Sequence, residues 1–303
     1  MNKTQKIVLF SIIGVVLTGL ITALIIRISR KKRKSNSTLL KKNKTLVCSH
    51  IGQIENGSKA ENNLENIKKL IDSNIDMVEI DIQITKDNVG VLFHDNELDK
   101  KTNGTGKIQS KNWSEVKEIR YNNDRNQGID KLSDVIKYLK QSGKQTILQL
   151  DKCDNKEIKN LSNQGYFKGI EKQILVKNTT FNKSQEVINS GLMYMPIIPS
   201  NYVGKMNKMS MIDEIVNKCK GSNFLEAQFS DADTLLIDGT LSKKLADIDC
   251  RLLVVAVKGS NKTNPKSFCC DKKELWAKMI NPMKAGVIMT NKPLALKEYI
   301  DNL

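Results

Sequence analysis

The stretch Met77–Asp95, MVEIDIQITKDNVGVLFHD, decides how the rest of the chain is read. From Met77 to Ile84 it alternates, with Val78, Ile80, Ile82 and Ile84 aliphatic and Glu79, Asp81 and Gln83 between them. Period two predicts a strand with one apolar face and one face that carries carboxylates. Glu79 and Asp81 then project side by side, roughly 6–7 Å apart at the backbone. Carboxylates that close repel unless a cation or a shared proton offsets them. Lys86-Asp87-Asn88 makes a turn, Val91-Leu92-Phe93 a second short strand, and His94-Asp95 closes it.

Working outward, the same pattern lies upstream, where Thr45-Leu46-Val47-Cys48-Ser49 runs into His50 and Gly52. The chain has only two histidines, and both directly follow short apolar strands. Alone, an Glu-x-Asp pair is ordinary on a solvated sheet face, and a histidine at a strand end is ordinary as a cap. The combination within 50 residues is not, and it points to a functional site.

At these residues the sequence resembles the glycerophosphodiester phosphodiesterase family, a (β/α)8 barrel of the phospholipase C type. That family opens on His-Arg-Gly, followed by Pro-Glu-Asn-Thr, an Glu-x-Asp strand and a Thr-Lys-Asp-Gly … His-Asp stretch. Here these stand as His50-Ile51-Gly52, Ala60-Glu61-Asn62-Asn63, Glu79-Ile80-Asp81, and Thr85-Lys86-Asp87 through His94-Asp95. Gly286-Val287-Ile288-Met289-Thr290-Asn291-Lys292-Pro293 is similar to the family's closing Gly-Ile-Ile-Thr-Asp-x-Pro. The resemblance runs from about residue 45 to the end, specific in its first third and thin in the middle.

The N-terminal segment is separate. Ile7–Ile26 carries no charge over 20 residues, which as a helix rising about 1.5 Å per residue matches a bilayer core of roughly 30 Å. Arg27-Ile28-Ser29-Arg30-Lys31-Lys32-Arg33-Lys34 follows at once, with no small-residue cleavage site before it. We expect an uncleaved transmembrane anchor within residues 1–34, a polar linker over 35–44, and a barrel over 45–303. More basic residues follow the span than precede it, which orients the barrel toward the cytoplasm. Cys48, Cys153, Cys219, Cys250, Cys269 and Cys270 show no metal-ligand spacing and agree with a reducing compartment.

The net charge of +16 does not indicate nucleic acid. Residues 1–44 hold 11 of the 49 Lys and Arg and none of the 33 acids, leaving 38 against 33 in the remainder. The excess is juxtamembrane, where each basic residue gains about 1 kcal/mol near anionic lipid headgroups. Aromatics make up 5% of the chain, too few for stacking platforms.

From Thr45 onward, 259 residues suit one α/β barrel of the usual size, about 250. Apolar runs predict strands at 146–150, 173–176, 193–198, 223–229, 251–257 and 285–289. Helices are predicted at 62–73, 110–119, 133–141, 206–219, 234–246 and 293–303. Strand and helix alternate, as parallel βα units require.

In such barrels the C-terminal strand ends carry the site. The resemblance implies His50 and His94 as an acid/base pair, and Glu79 and Asp81 as ligands of Mg2+ or Ca2+. It implies a supporting role for Glu61 and a glycerol hydroxyl as first nucleophile. Three departures stand out. The family's arginine is Ile51, its third metal carboxylate is Gln149, and its following lysine is Asp151. Asp151 shares a strand face with Gln149, so it is the candidate for the missing charge. Lys258, beside a lost aromatic, is the candidate to replace the arginine. The expected function is metal-dependent hydrolysis of glycerophosphodiesters at a membrane. The alternatives are a lysophospholipase D or sphingomyelinase D-like activity on lysophospholipids, and a catalytically weak headgroup-binding barrel.

Overall fold

Strands buried on both faces must be apolar nearly throughout, and a chain that supplies them between helices pairs them in parallel. The chain supplies Leu46–Ser49 (β1), Met77–Ile84 (β2), Gly90–Leu92 (β3), Ile147–Asp151 (β4) and Ile174–Asn178 (β5). Met193–Ile198 (β6), Phe224–Phe229 (β7), Arg251–Ala256 (β8) and Val287–Thr290 (β9) follow. The computed structural model describes residues 44–55, 61–178, 185–198, 208–229, 238–256 and 271–303. All strands but β3 are parallel to their neighbours, and β1 pairs with both β2 and β9, which closes an eight-stranded barrel. The expected barrel is therefore present. The expected anchor in residues 1–34 lies outside the described residues, as does the linker apart from Lys44. Among the described residues no helix is long and apolar enough to cross a membrane.

Strand β2 is longer than its neighbours, and its length matters. Met77–Asp81 pairs with β4, while Ile82–Ile84 runs past the barrel wall and pairs antiparallel with β3. The hairpin turns the chain back, so Phe93 N–H donates to the Asp81 carbonyl (3.1 Å) and His94 returns to the level of Asp81. Val78, Ile80 and Ile82 pack outward with Ile67, Leu70 and Ile71 of α1 (Leu64–Asp72), all fully buried. That leaves the other face of β2 for the barrel interior. The predicted polar face is thus not solvated: Glu79, Asp81 and Gln83 are all buried.

Helix boundaries shift for local reasons. The first helix starts at Leu64 rather than at residue 62, because Asn62 is left-handed (φ 50°) and the Asn63 side chain caps Asn66 N–H. The helix predicted over 110–119 is replaced by a 3-10 turn at Ile108–Ser110 and a short helix, Trp113–Val116 (α2). Lys111 is extended between them, its carbonyl accepting Lys86 N–H (2.8 Å), which breaks the helical run. This excursion after β3 has a small core of its own, with Phe93, Leu98, Ile108, Val116 and Tyr121. Strand β5 continues through Lys177, beyond the predicted end at 176.

Candidate active site

Parallel strands in register put matched residues on the same side of the sheet. Glu79 of β2 is matched with Gln149 of β4, and Asp81 with Asp151. One carboxylate oxygen from each of Glu79, Asp81 and Asp151 lies within 4.8 Å of the others. Asp151, two residues past the family's carboxylate position, therefore joins the acidic pair. Gln149 does not: it is fully buried, its Oε1 lies 3.8 Å from Cys48 Sγ, and its Nε2 has no hydrogen-bond partner.

Each carboxylate is held by a donor on a different segment. Glu79 Oε2 accepts Ile51 N–H (2.6 Å), and the Glu79 carbonyl accepts Gly52 N–H (2.8 Å). Ile51 has φ 45°, a left-handed conformation that a β-branched residue rarely adopts, and Gly52 follows at 62°. The turn is strained where it grips Glu79, which is where functional sites store strain. Asp81 Oδ2 accepts the Asn62 amide (2.9 Å), and Asn62 Oδ1 accepts Asp81 N–H (2.9 Å). Asp151 Oδ1 accepts Lys152 N–H (2.7 Å) while its Oδ2 pairs with Lys177 Nζ (2.8 Å).

Lys177 reaches from β5 to a second carboxylate, Glu226 of β7 (3.3 Å), which is fully buried. Burial acts to lower the Lys177 ammonium, but Glu226, Asp151 and Glu79 outweigh it and hold the proton on firmly. Burial also acts to raise Asp151, but Lys177 outweighs it and keeps that group ionised. Glu79 is pushed well above the carboxylate range by burial and then by Asp81. Asp81 is raised by burial, moderated by the Asn62 hydrogen bond and the two imidazoles. Among the described residues Lys177 therefore faces three acids, Glu226, Asp151 and Glu79, while the positive influence on Asp81 comes from the imidazoles.

Those same residues suit a hard divalent cation. Carboxylate oxygens are what Mg2+ and Ca2+ prefer, with solvent or substrate oxygens completing the shell. The charge deficit at Glu79 and Asp81 is what such an ion relieves.

The two histidines flank this cluster, each oriented through Nδ1. His50 Nδ1–H donates to Asn291 Oδ1 (2.8 Å), and Asn291 is in turn fixed by Asp271, whose Oδ1 accepts Asn291 N–H (3.0 Å). Burial lowers the His50 pKa below its ordinary value, so the ring is neutral at pH 7. His94 Nδ1–H donates to Asp95 Oδ1 (2.6 Å). In both rings Nδ1 is engaged, His50 by Asn291 and His94 by Asp95.

Of the other expected residues, Glu61 pairs with Lys101 rather than with the carboxylate cluster. Lys258 lies outside the described residues. Lys177, Glu226, Asn62, Asn291, Asp271 and Lys101 were not anticipated as site residues. A signal existed for two of them: Lys177 falls on the interior beat of β5, and Glu226 is an acid inside an apolar strand. Asn291 lies within the closing Gly286–Pro293 motif, but its partner His50 is 241 residues away; Lys101 carries no motif and joins Asp95 nearby to Glu61, 40 residues back.

The chain is similar to known phosphodiesterases in sequence and in fold. The model of the glycerophosphoryl diester phosphodiesterase family matches residues 50–194. The glycerophosphodiester phosphodiesterase of Caldanaerobacter subterraneus subsp. tengcongensis is 36% identical over 76 residues, 25% of this chain and 30% of that protein. The alignment thus spans less than two thirds of that relative's length. Among solved structures, a glycerophosphoryl diester phosphodiesterase from Parabacteroides distasonis superposes with TM-score 0.64 at 18% identity, over 88% of this chain and 92% of that one. An Oleispira antarctica phosphodiesterase, solved with the product sn-glycerol-3-phosphate, gives 0.58 at 18% identity over 85% and 97%. At such identities these two likenesses speak for the fold.

Proposed function

We propose that this chain, whose residues 50–194 match the model of the glycerophosphoryl diester phosphodiesterase family, is a membrane-anchored, metal-dependent hydrolase of glycerophosphodiesters. The products are glycerol phosphate and an alcohol. The observation that carries this reading is a cluster of three interior carboxylates flanked by two imidazoles, both near enough to stabilise the Asp81 carboxylate.

Glu79, Asp81 and Asp151 would hold Mg2+ or Ca2+, which when bound supplies positive charge to the phosphodiester. Held neutral by burial, and with Asn291 fixing its Nδ1 proton, His50 is the general base. Its Nε2 takes the proton of the glycerol hydroxyl adjacent to the phosphate. That oxygen bonds to phosphorus, and the bond from phosphorus to the leaving alcohol breaks. His94, whose imidazolium is supported by Asp95, gives its Nε2 proton to the departing oxygen. In the second half the roles reverse: His94 takes a proton from water, the cyclic phosphate opens, and His50 returns its proton. Such histidines are each worth roughly 10²–10⁴-fold in rate.

The anchor reading rests on the sequence of residues 7–34, an uncharged span followed by a basic block. It places the 45–303 barrel at a membrane surface, on the cytoplasmic side by its flanking charges.

The test is release of glycerol phosphate from glycerophosphocholine by the full chain in detergent, with and without chelator. Activity that chelator abolishes and added Mg2+ or Ca2+ restores is expected, with His50→Ala and His94→Ala each losing about 10²–10⁴-fold. Release of choline from lysophosphatidylcholine but not from glycerophosphocholine would move the assignment to a lysophospholipase D. No turnover of either substrate would leave a binding protein.

A further inference from the structure

Two of the chain's cysteines meet in the layer between strands and helices. Cys219 closes the last turn of the helix Lys208–Lys218, its N–H donating to the Ile215 carbonyl (3.0 Å). Cys250 stands directly before β8, its N–H donating to the Leu245 carbonyl (3.0 Å) near the end of the helix Thr240–Ala246. Both are buried in the main core. Their thiols are hydrogen-bonded to each other. The other two described cysteines have different neighbours, Gln149 for Cys48 and Glu157 for Cys153.

The strands bring the pair together. Ser222 N–H donates to the Cys219 carbonyl (2.8 Å), which turns the chain into β7, and Arg251 N–H donates to the Asn223 carbonyl (3.0 Å). Phe224 is then matched with Arg251, so the entries to β7 and β8 lie side by side. Cys250 falls on the beat of Leu252 and Val254, the one that packs into the core with the helices. Both backbones are thus fixed by ladder and helix-end bonds, with thirty residues of sequence between the two cysteines. A disulfide needs side chains aimed at each other in this way, because its sulfurs must approach to about 2 Å.

We propose that Cys219 and Cys250 are a redox-modification site, which a low-molecular-weight disulfide oxidises to a crosslink between the end of the Lys208–Lys218 helix and the start of β8. One cysteine thiolate attacks a sulfur of the small disulfide, forming a mixed disulfide and expelling one small thiol. The second cysteine attacks the protein sulfur of that mixed disulfide, forming the Cys219–Cys250 bond and expelling the second small thiol. The two electrons and two protons that the cysteines lose leave on the two small thiols. The Cys219 hydrogen bond and burial hold the Cys250 proton on, so exchange waits for the helix ends to open locally. On a cytoplasmic face the pair therefore stays reduced until small disulfides accumulate. It lies at the N-terminal ends of the strands, the end opposite to His50, away from the carboxylate cluster. The link stabilises mainly by restricting the unfolded chain.

The experiment is incubation of the full chain in detergent with reduced and oxidised glutathione, followed by alkylation of free thiols and peptide mapping. Urea is held below the unfolding transition, at the lowest concentration at which iodoacetamide alone reaches both Cys219 and Cys250. The expected result is a peptide pair joined through these two residues, which dithiothreitol separates. Once the urea is removed, Tm of the linked chain should exceed that of the reduced chain by roughly 4–16 °C. Cys250→Ser should show neither the link nor that gain. Cysteines that only fill space in the core would be recovered as alkylated thiols or as glutathione mixed disulfides. Either recovery overturns the proposal, and the parent chain supplies it even if Cys250→Ser does not fold. A Cys219–Cys250 link that lowers Tm would overturn it too, since the folded barrel would then oppose the bond.

Discussion

Replacing Lys177 with methionine removes the one ammonium that the described interior cluster contains, while keeping most of its apolar length. Its Nζ stands 2.8 Å from Asp151 Oδ2 and 3.3 Å from Glu226 Oε1. At an effective dielectric near 20, each contact is worth about 5–6 kcal/mol of raw attraction. The ammonium's own desolvation offsets much of that, and removal of one partner from a buried pair costs about 3–5 kcal/mol. In a domain of this size 1 kcal/mol moves the midpoint by roughly 2–4 °C, so in chelator Lys177→Met should melt about 6–20 °C below the parent. A divalent cation supplies charge to the same carboxylates, so Mg2+ should raise the variant's midpoint more than the parent's. Lys177→Met/Glu226→Gln should recover part of the loss, because one stranded carboxylate is gone. The assay is thermal unfolding of the full chain followed by circular dichroism, with chelator and then with Mg2+. A variant that melts with the parent in chelator, and responds to Mg2+ no differently, would refute the assignment of Lys177 as counter-ion to the site.

Asp151→Asn should severely weaken the response of activity and of thermal midpoint to Mg2+ or Ca2+, whereas Gln149→Glu should strengthen it by adding a carboxylate opposite Glu79. If Asp151→Asn titrates like the parent, the ion relies on Glu79, Asp81 and solvent alone. The depressed His50 pKa makes a statement about stability and pH. An unfolded histidine takes up its proton near 6.5 and folded His50 only at lower pH, so between those values the unfolded chain binds more protons and stability rises with pH. Urea unfolding of the parent should therefore lose stability as pH falls below about 6.5. His50→Gln should lack that component, and identical slopes in the two proteins would contradict it.

The barrel was legible because its strands obey one rule: apolar residues on the beat that faces the helices. Val78, Ile80 and Ile82 state that rule in β2, and Glu79 and Asp81 break it on the opposite face. Helix ends were less legible, since they depend on single residues such as left-handed Asn62 and extended Lys111. The helix expected over 110–119 failed for that reason. The site was legible where motif and strand coincide, at His50, Glu79, Asp81 and His94. It was illegible where a side chain acts across the barrel. Asn291 fixes His50 from 241 residues away, and no window of sequence contains both.

The departures from the family pattern become coherent once the strands are in register. The family carries an acid and a lysine two residues apart on the fourth strand, where this chain has Gln149 and Asp151. Strand register continues Gln149↔Leu175 and Leu150↔Val176 toward Asp151 and Lys177, and those two side chains are in contact. Asp151 stands two residues beyond the position the resemblance gives to an acid, and its lysine partner comes from the next strand. Asp151 and Lys177 thus contribute one negative and one positive charge to the interior layer. The loss of the arginine at Ile51 is different in kind. The backbone there still holds Glu79 through Ile51 N–H, so the turn keeps its structural task while its cation is absent. The Asp151–Lys177 pair thus supplies, within the barrel, an acid and a cation that the resemblance would place on one strand. No side chain of the His50-Ile51-Gly52 turn carries the permanent positive charge that an arginine at position 51 would bring.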